Sequence, residues 1–245
     1  MNFIILEEVD STNSYVSLHA SELPSPTMVI ANTQTSGRGQ RGNSWESEPG
    51  LNLTATLFYK PLALAPRLQF ALSEAVALAV ADYLRSEGLE AMVKWPNDIY
   101  VGNSKICGIL IEHCITSTAV EHSRIGIGLN VNQTVFVSDA PNPVSMRMLT
   151  GQKRDISRVA AAMGVMLEKR LADVSSAAGR ERLHNDFLSR LWRGDGKAYP
   201  FRRRSDGCCF QGVIETVEPS GPILISDLDS SSTSSYMFKE VEFII

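Results

Sequence analysis

What flanks the loop Gly37-Arg38-Gly39-Gln40-Arg41-Gly42-Asn43-Ser44-Trp45 restricts the fold of this chain more than any other feature. Its first six residues satisfy G-x-G-x-x-G, which in a dinucleotide-binding fold opens a helix and is followed about 20 residues on by an acid closing the next strand. Here Pro49 and Gly50 follow, segment 52–59 reads as a strand, and the position for the acid falls in Phe58-Tyr59-Lys60-Pro61. Segment 27–34, ahead of the loop, also reads as a strand. A dinucleotide fold is therefore excluded. A protein kinase is excluded too, since no V-A-I-K, H-R-D or D-F-G element follows.

The loop's chemistry points to an anionic small molecule. Its glycines let the backbone take positive φ and approach a ligand closely. Arg38 and Arg41 offer planar, permanently charged forks for phosphate or carboxylate oxygens, and Trp45 offers a flat face to a fused ring. A plain surface turn is the alternative reading.

At 245 residues the chain can bury a sizeable core and hold one large and one small domain. A formal charge of −4 argues against a nucleic-acid-coating protein. No apolar run reaches a membrane span, and Met1 to Leu6 enters a strand without a signal-peptide pattern, so a soluble, cytoplasmic protein is expected. Cys107, Cys114, Cys208 and Cys209 form no C-x-x-C pair and read as buried free thiols. His19, His113, His122 and His184 lack ligand spacing, so the sequence assigns them no metal.

Leu68, Leu72, Ala75, Val76, Ala79, Val80, Tyr83 and Leu84 recur at helical spacing and predict a helix over 67–86, stopped at Gly88. Strands are expected at 91–95, 98–101, 106–115 and 123–131, and helices at 157–171 and 180–192. After Gly194-Asp195-Gly196 the pattern changes to short strands at 208–217, 223–225 and 241–245, the spacing of a small antiparallel barrel. The serine run 230–235 reads as a hairpin tip. The predicted architecture is α+β: a mixed sheet with helices over 1–195, then a small β-barrel over 196–245.

Three further segments carry polar residues at strand ends, where ligand sites are commonly built. Lys94-Trp95-Pro96-Asn97-Asp98 sets a lysine, an amide and a carboxylate around a proline, and reads equally as a capped turn. Lys105 heads the run Ile106 to Glu112, either as an edge residue reaching solvent or as a charge aimed into a site. Gly126-Ile127-Gly128-Leu129-Asn130 is a second close-approach strand, with Asn130 a turn former or a ligand amide.

Taken in order, these motifs resemble the biotin protein ligases from about Val9 to the C-terminus. Asp10-Ser11-Thr12-Asn13 is similar to the family's opening motif, and the glycine loop to its biotin-binding loop. The resemblance implies a catalytic domain like those of class II aminoacyl-tRNA synthetases, followed by an SH3-like barrel. It implies a reaction in which the biotin carboxylate attacks the α-phosphate of ATP, with magnesium, to give biotinyl-5′-AMP. A lysine of a biotin carboxyl carrier protein, or of the biotinyl-acceptor domain of a carboxylase, then takes the biotinyl group.

By the same resemblance Lys105 and Arg38 are catalytic. Ser11, Thr12, Asn13, Gln34, Gly37, Arg38, Gly39, Lys105 and Gly108 bind biotin, and Gln40, Arg41, Asn43, Trp45, Asn97, Asp98, Lys105 and Asn130 bind ATP or the adenylate, with Trp45 near the adenine and Asp98 toward the metal. Two departures stand out: Gln40 and Asn43 occupy positions where more cationic relatives carry arginine, so weaker retention of the adenylate is expected. The first motif starts at Asp10, which leaves no room ahead of it for a helix-turn-helix, so no DNA-binding role is expected. Pairing of relatives through a sheet edge makes a homodimer an expectation. Two rivals remain. A lipoate or octanoate ligase or transferase shares the architecture, although the glycine loop with Trp45 favours biotin. A non-catalytic biotin-binding regulatory module would not need Lys105 with Asn97-Asp98.

Overall fold

The computed structural model describes residues 1–39, 44–138 and 142–245. A seven-stranded mixed sheet is built from β1 (Asn2–Val9), β2 (Thr27–Gln34), β3 (Leu53–Tyr59), β4 (Ala91–Lys94), β5 (Asp98–Val101), β6 (Ser104–Ile115) and β7 (Val120–Leu129), in the order β1-β2-β3-β7-β6-β5-β4. β1 and β2 run parallel, and every other neighbouring pair is antiparallel. The parallel pair needs a crossover, which α1 (Thr12–His19) supplies.

Helix α2 (Phe70–Ser86) buries almost its whole circumference, from Leu72 and Val76 to Leu78 and Ala81. It lies between the sheet and two covering helices, α4 (Ile156–Asp173) and α5 (Ala177–Ser189), so the predicted apolar stripe is wider than one face. Asp155 caps α4 by accepting from the backbone N–H of Ser157 at 2.8 Å, and Ser176 caps α5. No helix among the described residues is long and apolar enough to cross a membrane.

The C-terminal region forms a five-stranded antiparallel sheet from β8 (Tyr199–Arg203), β9 (Cys209–Val217), β10 (Ile223–Asp227), β11 (Ser232–Tyr236) and β12 (Val241–Phe243), ordered β11-β10-β9-β8-β12. It joins the larger sheet's core through aromatic residues. The Trp95 indole N–H donates to the Gly221 carbonyl at 2.8 Å, and Arg193 Nη1 donates to the Ile244 carbonyl at 2.9 Å. Trp192 lies 6.0 Å from Phe243 and Trp95 6.2 Å from Phe238, ring centre to ring centre.

Two sequence expectations are corrected here. The serine run is not only a hairpin tip: Ser232 to Ser235 lie in β11, paired with β10, because alternating small hydroxyl residues satisfy a ladder as well as a turn. Of the four thiols only Cys107 is buried, while Cys114, Cys208 and Cys209 are exposed at strand ends. Two short helices, α1 and α3 (Met146–Thr150), also escaped the periodicity reading, and both begin at a serine cap, Ser11 and Ser145.

Candidate active site

One row of paired residues crosses the large sheet and defines the site. Thr54 pairs Gly128, Gly128 pairs Gly108, Gly108 pairs Asp98, and Asp98 pairs Lys94. Directly paired residues face the same side of a sheet. The row therefore has no side chains over β7 and β6, with a hydroxyl on one flank and a carboxylate and an ammonium on the other. Strand spacing makes the trough between Thr54 and Asp98 about 14 Å across.

Lys105 should not face this trough by simple alternation, since it lies three residues from Gly108. The β5–β6 register shifts between Ile99 and Tyr100, pairing Ile99 with Cys107 and Tyr100 with Lys105. Ile106 is thus an extra residue on β6, and the bulge re-aims Lys105 to the face of Gly108 and Asp98. There Lys105 Nζ meets Asp98 Oδ1 at 2.7 Å. The Lys105 backbone is tied on its other side, donating to the Asn142 carbonyl at 2.8 Å and accepting from the Val144 N–H at 2.9 Å.

The far flank is uncharged and hydrogen-bonded. Gln34, the last residue of β2, accepts at Oε1 from the Thr12 N–H at 2.8 Å and from the Thr12 hydroxyl at 3.0 Å, and that hydroxyl lies 2.8 Å from the Thr56 hydroxyl. Ser11 accepts from the Asn13 N–H as the α1 cap. Both amide atoms of Asn13 are buried without a partner among the described residues, as is Asn130 Oδ1. Orphaned buried amides of this kind are costly and are characteristic of ligand sites. Asn130 Nδ2 is engaged with the Val144 carbonyl at 3.1 Å, and Asn97 Nδ2 donates to the Ile109 carbonyl.

The described ends of the glycine loop, 37–39 and 44–45, meet beside the trough, and Trp45 reaches over it. The Trp45 N–H donates to the Gly37 carbonyl at 3.0 Å, and Arg38 bridges to Ser44. The Trp45 ring spans the glycine pair: a Cβ on Gly128 would lie 2.3 Å from Trp45 Cε2, and one on Gly108 2.9 Å from Cζ3. Lys105 Nζ sits 5.9 Å from the ring centre. The indole N–H is buried without a partner among the described residues, and Trp45 lies against the glycine floor and beside the cation.

Of the residues singled out from sequence, Ser11, Thr12, Asn13, Gln34, Arg38, Gly39, Trp45, Asn97, Asp98, Lys105, Gly108 and Asn130 line one cavity of about 1460 Å³. Gly37 lies behind it and shapes the loop, since a Cβ there would meet the Trp45 carbonyl oxygen at 2.6 Å. Gln40, Arg41 and Asn43 lie outside the described residues. The sequence reading missed the wall contributed by the C-terminal sheet, which includes Arg202, Arg204, Lys239 and Glu242. Lys94, named in the strand-end segment but given no role there, also lines the cavity, and its Nζ lies 4.9 Å from the Phe243 ring centre. Burial pushes the Lys94 ammonium below the usual lysine range, opposed by Asp98 and assisted by Lys105 and Arg193. No local signal announces Arg202, Arg204, Lys239 or Glu242, because tertiary packing alone brings the two sheets together.

The cavity thus combines an uncharged hydrogen-bonding end, a side-chain-free floor and a cationic end with one carboxylate. Such a site can hold an elongated ligand whose anionic group lies at the lysines. A family model described as the biotin/lipoate A/B protein ligase family matches residues 5–130. The chain is 36% identical over 132 residues to the bifunctional ligase/repressor BirA of Escherichia coli (strain K12), covering 54% of this chain and 40% of that protein. It is 28% identical over 232 residues to the biotin–[acetyl-CoA-carboxylase] ligase of Paracoccus denitrificans, covering 90% and 92%. A biotin protein ligase from Aquifex aeolicus, solved in complex with biotin and ATP, shares the fold with a TM-score of 0.78 at 22% identity, over 98% of this chain and 97% of that one. With the family pattern spanning the strands that build the cavity, the chain belongs to the biotin/lipoate A/B protein ligase family.

Proposed function

We propose that this chain is an ATP-dependent ligase that activates biotin as biotinyl-5′-AMP and transfers it to a lysine of a biotin carboxyl carrier protein or biotinyl-acceptor domain. The observation that carries this reading is the trough: a side-chain-free floor running from the Thr12–Gln34 pair to the Lys105–Asp98 pair. An uncharged ureido ring needs buried hydrogen-bonding partners, and a slim acyl chain needs a floor without side chains. The carboxylate then arrives beside Lys105.

In the first step a biotin carboxylate oxygen bonds to the α-phosphorus while the bond to the β-phosphate bridge oxygen breaks, releasing pyrophosphate. Negative charge gathers where carboxylate and phosphate meet, and fixed cations there stabilise the transition state. Lys105 and Arg38 are assigned that work. In the second step the acceptor lysine amine attacks the biotinyl carbonyl, AMP leaves and the amine loses a proton. Magnesium, when bound, screens the phosphates; Asp98 would hold it, and a single carboxylate suits an ion whose other ligands are water and phosphate oxygens. Closure of the glycine loop keeps water from the mixed anhydride. ATP as co-substrate accords with a cytoplasmic setting.

The test is pyrophosphate release from ATP and magnesium with biotin, lipoate or neither, followed by transfer to a purified acceptor domain. Release and transfer with biotin are expected. Release with lipoate alone would replace the substrate, and no release with either acid would reduce the chain to a binding module.

A further inference from the structure

The far end of the β6–β7 hairpin carries a second constellation. Cys114 and His122 are direct cross-strand partners, and the register shifts between Cys114 and Ile115, which pairs Val120. Glu121 is therefore the extra residue of a β-bulge. Strict alternation would send Glu121 and His122 to opposite faces, and the bulge brings both to Cys114. Cys114 Sγ lies 3.5 Å from Glu121 Oε2. The thiol, carboxylate and imidazole ligand atoms all lie within 4.8 Å of one another, which among the described residues no other set of three metal-binding side chains achieves. The His122 ring is steadied by Phe58 at 5.3 Å, and Phe58 is fully buried.

We propose that Cys114, Glu121 and His122 form a zinc site on this hairpin. Sulfur, nitrogen and oxygen donors in one small cluster suit Zn²⁺, with a water completing a tetrahedral shell. On binding, the Cys114 thiol gives its proton to solvent and the thiolate, carboxylate and neutral imidazole each donate a lone pair. The resulting complex carries no net charge, so nearby Arg124 does not oppose it, and Arg124 already pairs with Glu112 at 3.5 Å. Cys114 and Gly108 are six residues apart on β6, about 20 Å along the strand, so the site is separate from the trough.

The experiment uses the full chain carrying Cys208→Ser and Cys209→Ser, stripped with a chelator and titrated with Zn²⁺ against a chromophoric chelator. One equivalent should bind, and Co²⁺ in its place should show thiolate charge-transfer absorption. Cys114→Ser or His122→Ala should each weaken binding by about 100-fold, because loss of a ligand costs at least as much as loss of its outer-shell support. Cys114 is exposed and His122 half-buried, and circular dichroism checks that the variants fold. Binding unchanged in both variants, or lost instead in Asp98→Asn, would overturn the proposal, as would the absence of stoichiometric binding.

Discussion

Gly108 and Gly128 face each other across β6 and β7, and the indole of Trp45 rests over the pair. Two glycines in register at the centre of a sheet are a poor choice for stability. Here they clear the floor on which ligand and lid must both fit.

Gly128→Ala should therefore damage the site without unfolding the sheet. Its Cβ would fall 2.3 Å from Trp45 Cε2, whereas the same change at Gly126 meets nothing closer than the Leu110 carbonyl oxygen at 3.5 Å. Displacement near 1 Å in a reactive site costs about 100-fold in rate, so kcat/KM for biotin should fall by that order for Gly128→Ala. Gly126→Ala should stay within a few-fold. Steady-state kinetics on both variants, with Trp45 fluorescence as the structural readout, make the comparison. Equal effects at the two positions would show that the contact with Trp45 is not the cause.

Lys105→Ala separates chemistry from stability. The side chains of Lys105 and Asp98 are each about a quarter exposed, and an ion pair so placed contributes little to folding. Removal of a group that stabilises developing charge costs about 100- to 1000-fold. Biotin-dependent pyrophosphate release should drop by that order while the melting temperature shifts by only a few degrees. An unchanged pyrophosphate burst would remove Lys105 from the reaction.

How far the sequence revealed this site depended on whether alternation held. Helix α2 was legible because Leu72 to Leu84 keep a regular helical spacing, and β3, β6 and β7 because their apolar runs are bounded by turns. The direction of Lys105 was not legible: reading every second residue places it with Cys107 on the core face, and only the bulge at Ile106 turns it over. Glu121 hid for the same reason, since no ligand spacing relates it to Cys114 and His122. Arg202 and Arg204 reach the cavity through the packing of Phe243 on Trp192 and Phe238 on Trp95, a long-range event without a local pattern.

Glu46 anchors the loop just past Trp45. Its carboxylate accepts from the Val137 N–H at 3.0 Å, the Ser138 N–H at 2.8 Å and Gln133 Nε2 at 3.1 Å. Burial opposes its charge, but these bonds from Ser138, Val137 and Gln133 hold the carboxyl below the usual glutamate range. Glu46→Ala removes the anchor, and bonds to a charged group contribute about 1.5–3 kcal/mol each. The lid should then open more often, so pyrophosphate released per biotin transferred should rise about 10-fold as the adenylate hydrolyses. A ratio that stays at the parent value would show that Glu46 does not govern closure.

Glu74 offers a test of stability against pH. It is 2% exposed inside α2, and Oε1 lies 2.7 Å from His184 Nδ1 on α5. Burial raises its pKa from 4.5 to about 7, against the hydrogen bond and charge of His184. In the unfolded chain Glu74 loses its proton near the usual glutamate value, while the folded protein still holds it. Between those limits the unfolded state binds fewer protons, so stability falls as pH rises from about 4.5 to about 7 and then levels off. A shift of this size corresponds to about 3 kcal/mol of lost stability at alkaline pH. Glu74→Gln keeps the shape and a hydrogen-bonding oxygen but cannot ionise. Denaturant unfolding should find the variant more stable than the parent by about 1–3 kcal/mol at pH 8, with the gain vanishing near pH 4.5. A gain equal at both pH values, or a loss at pH 8, would show that ionisation of Glu74 does not limit the α2–α5 interface.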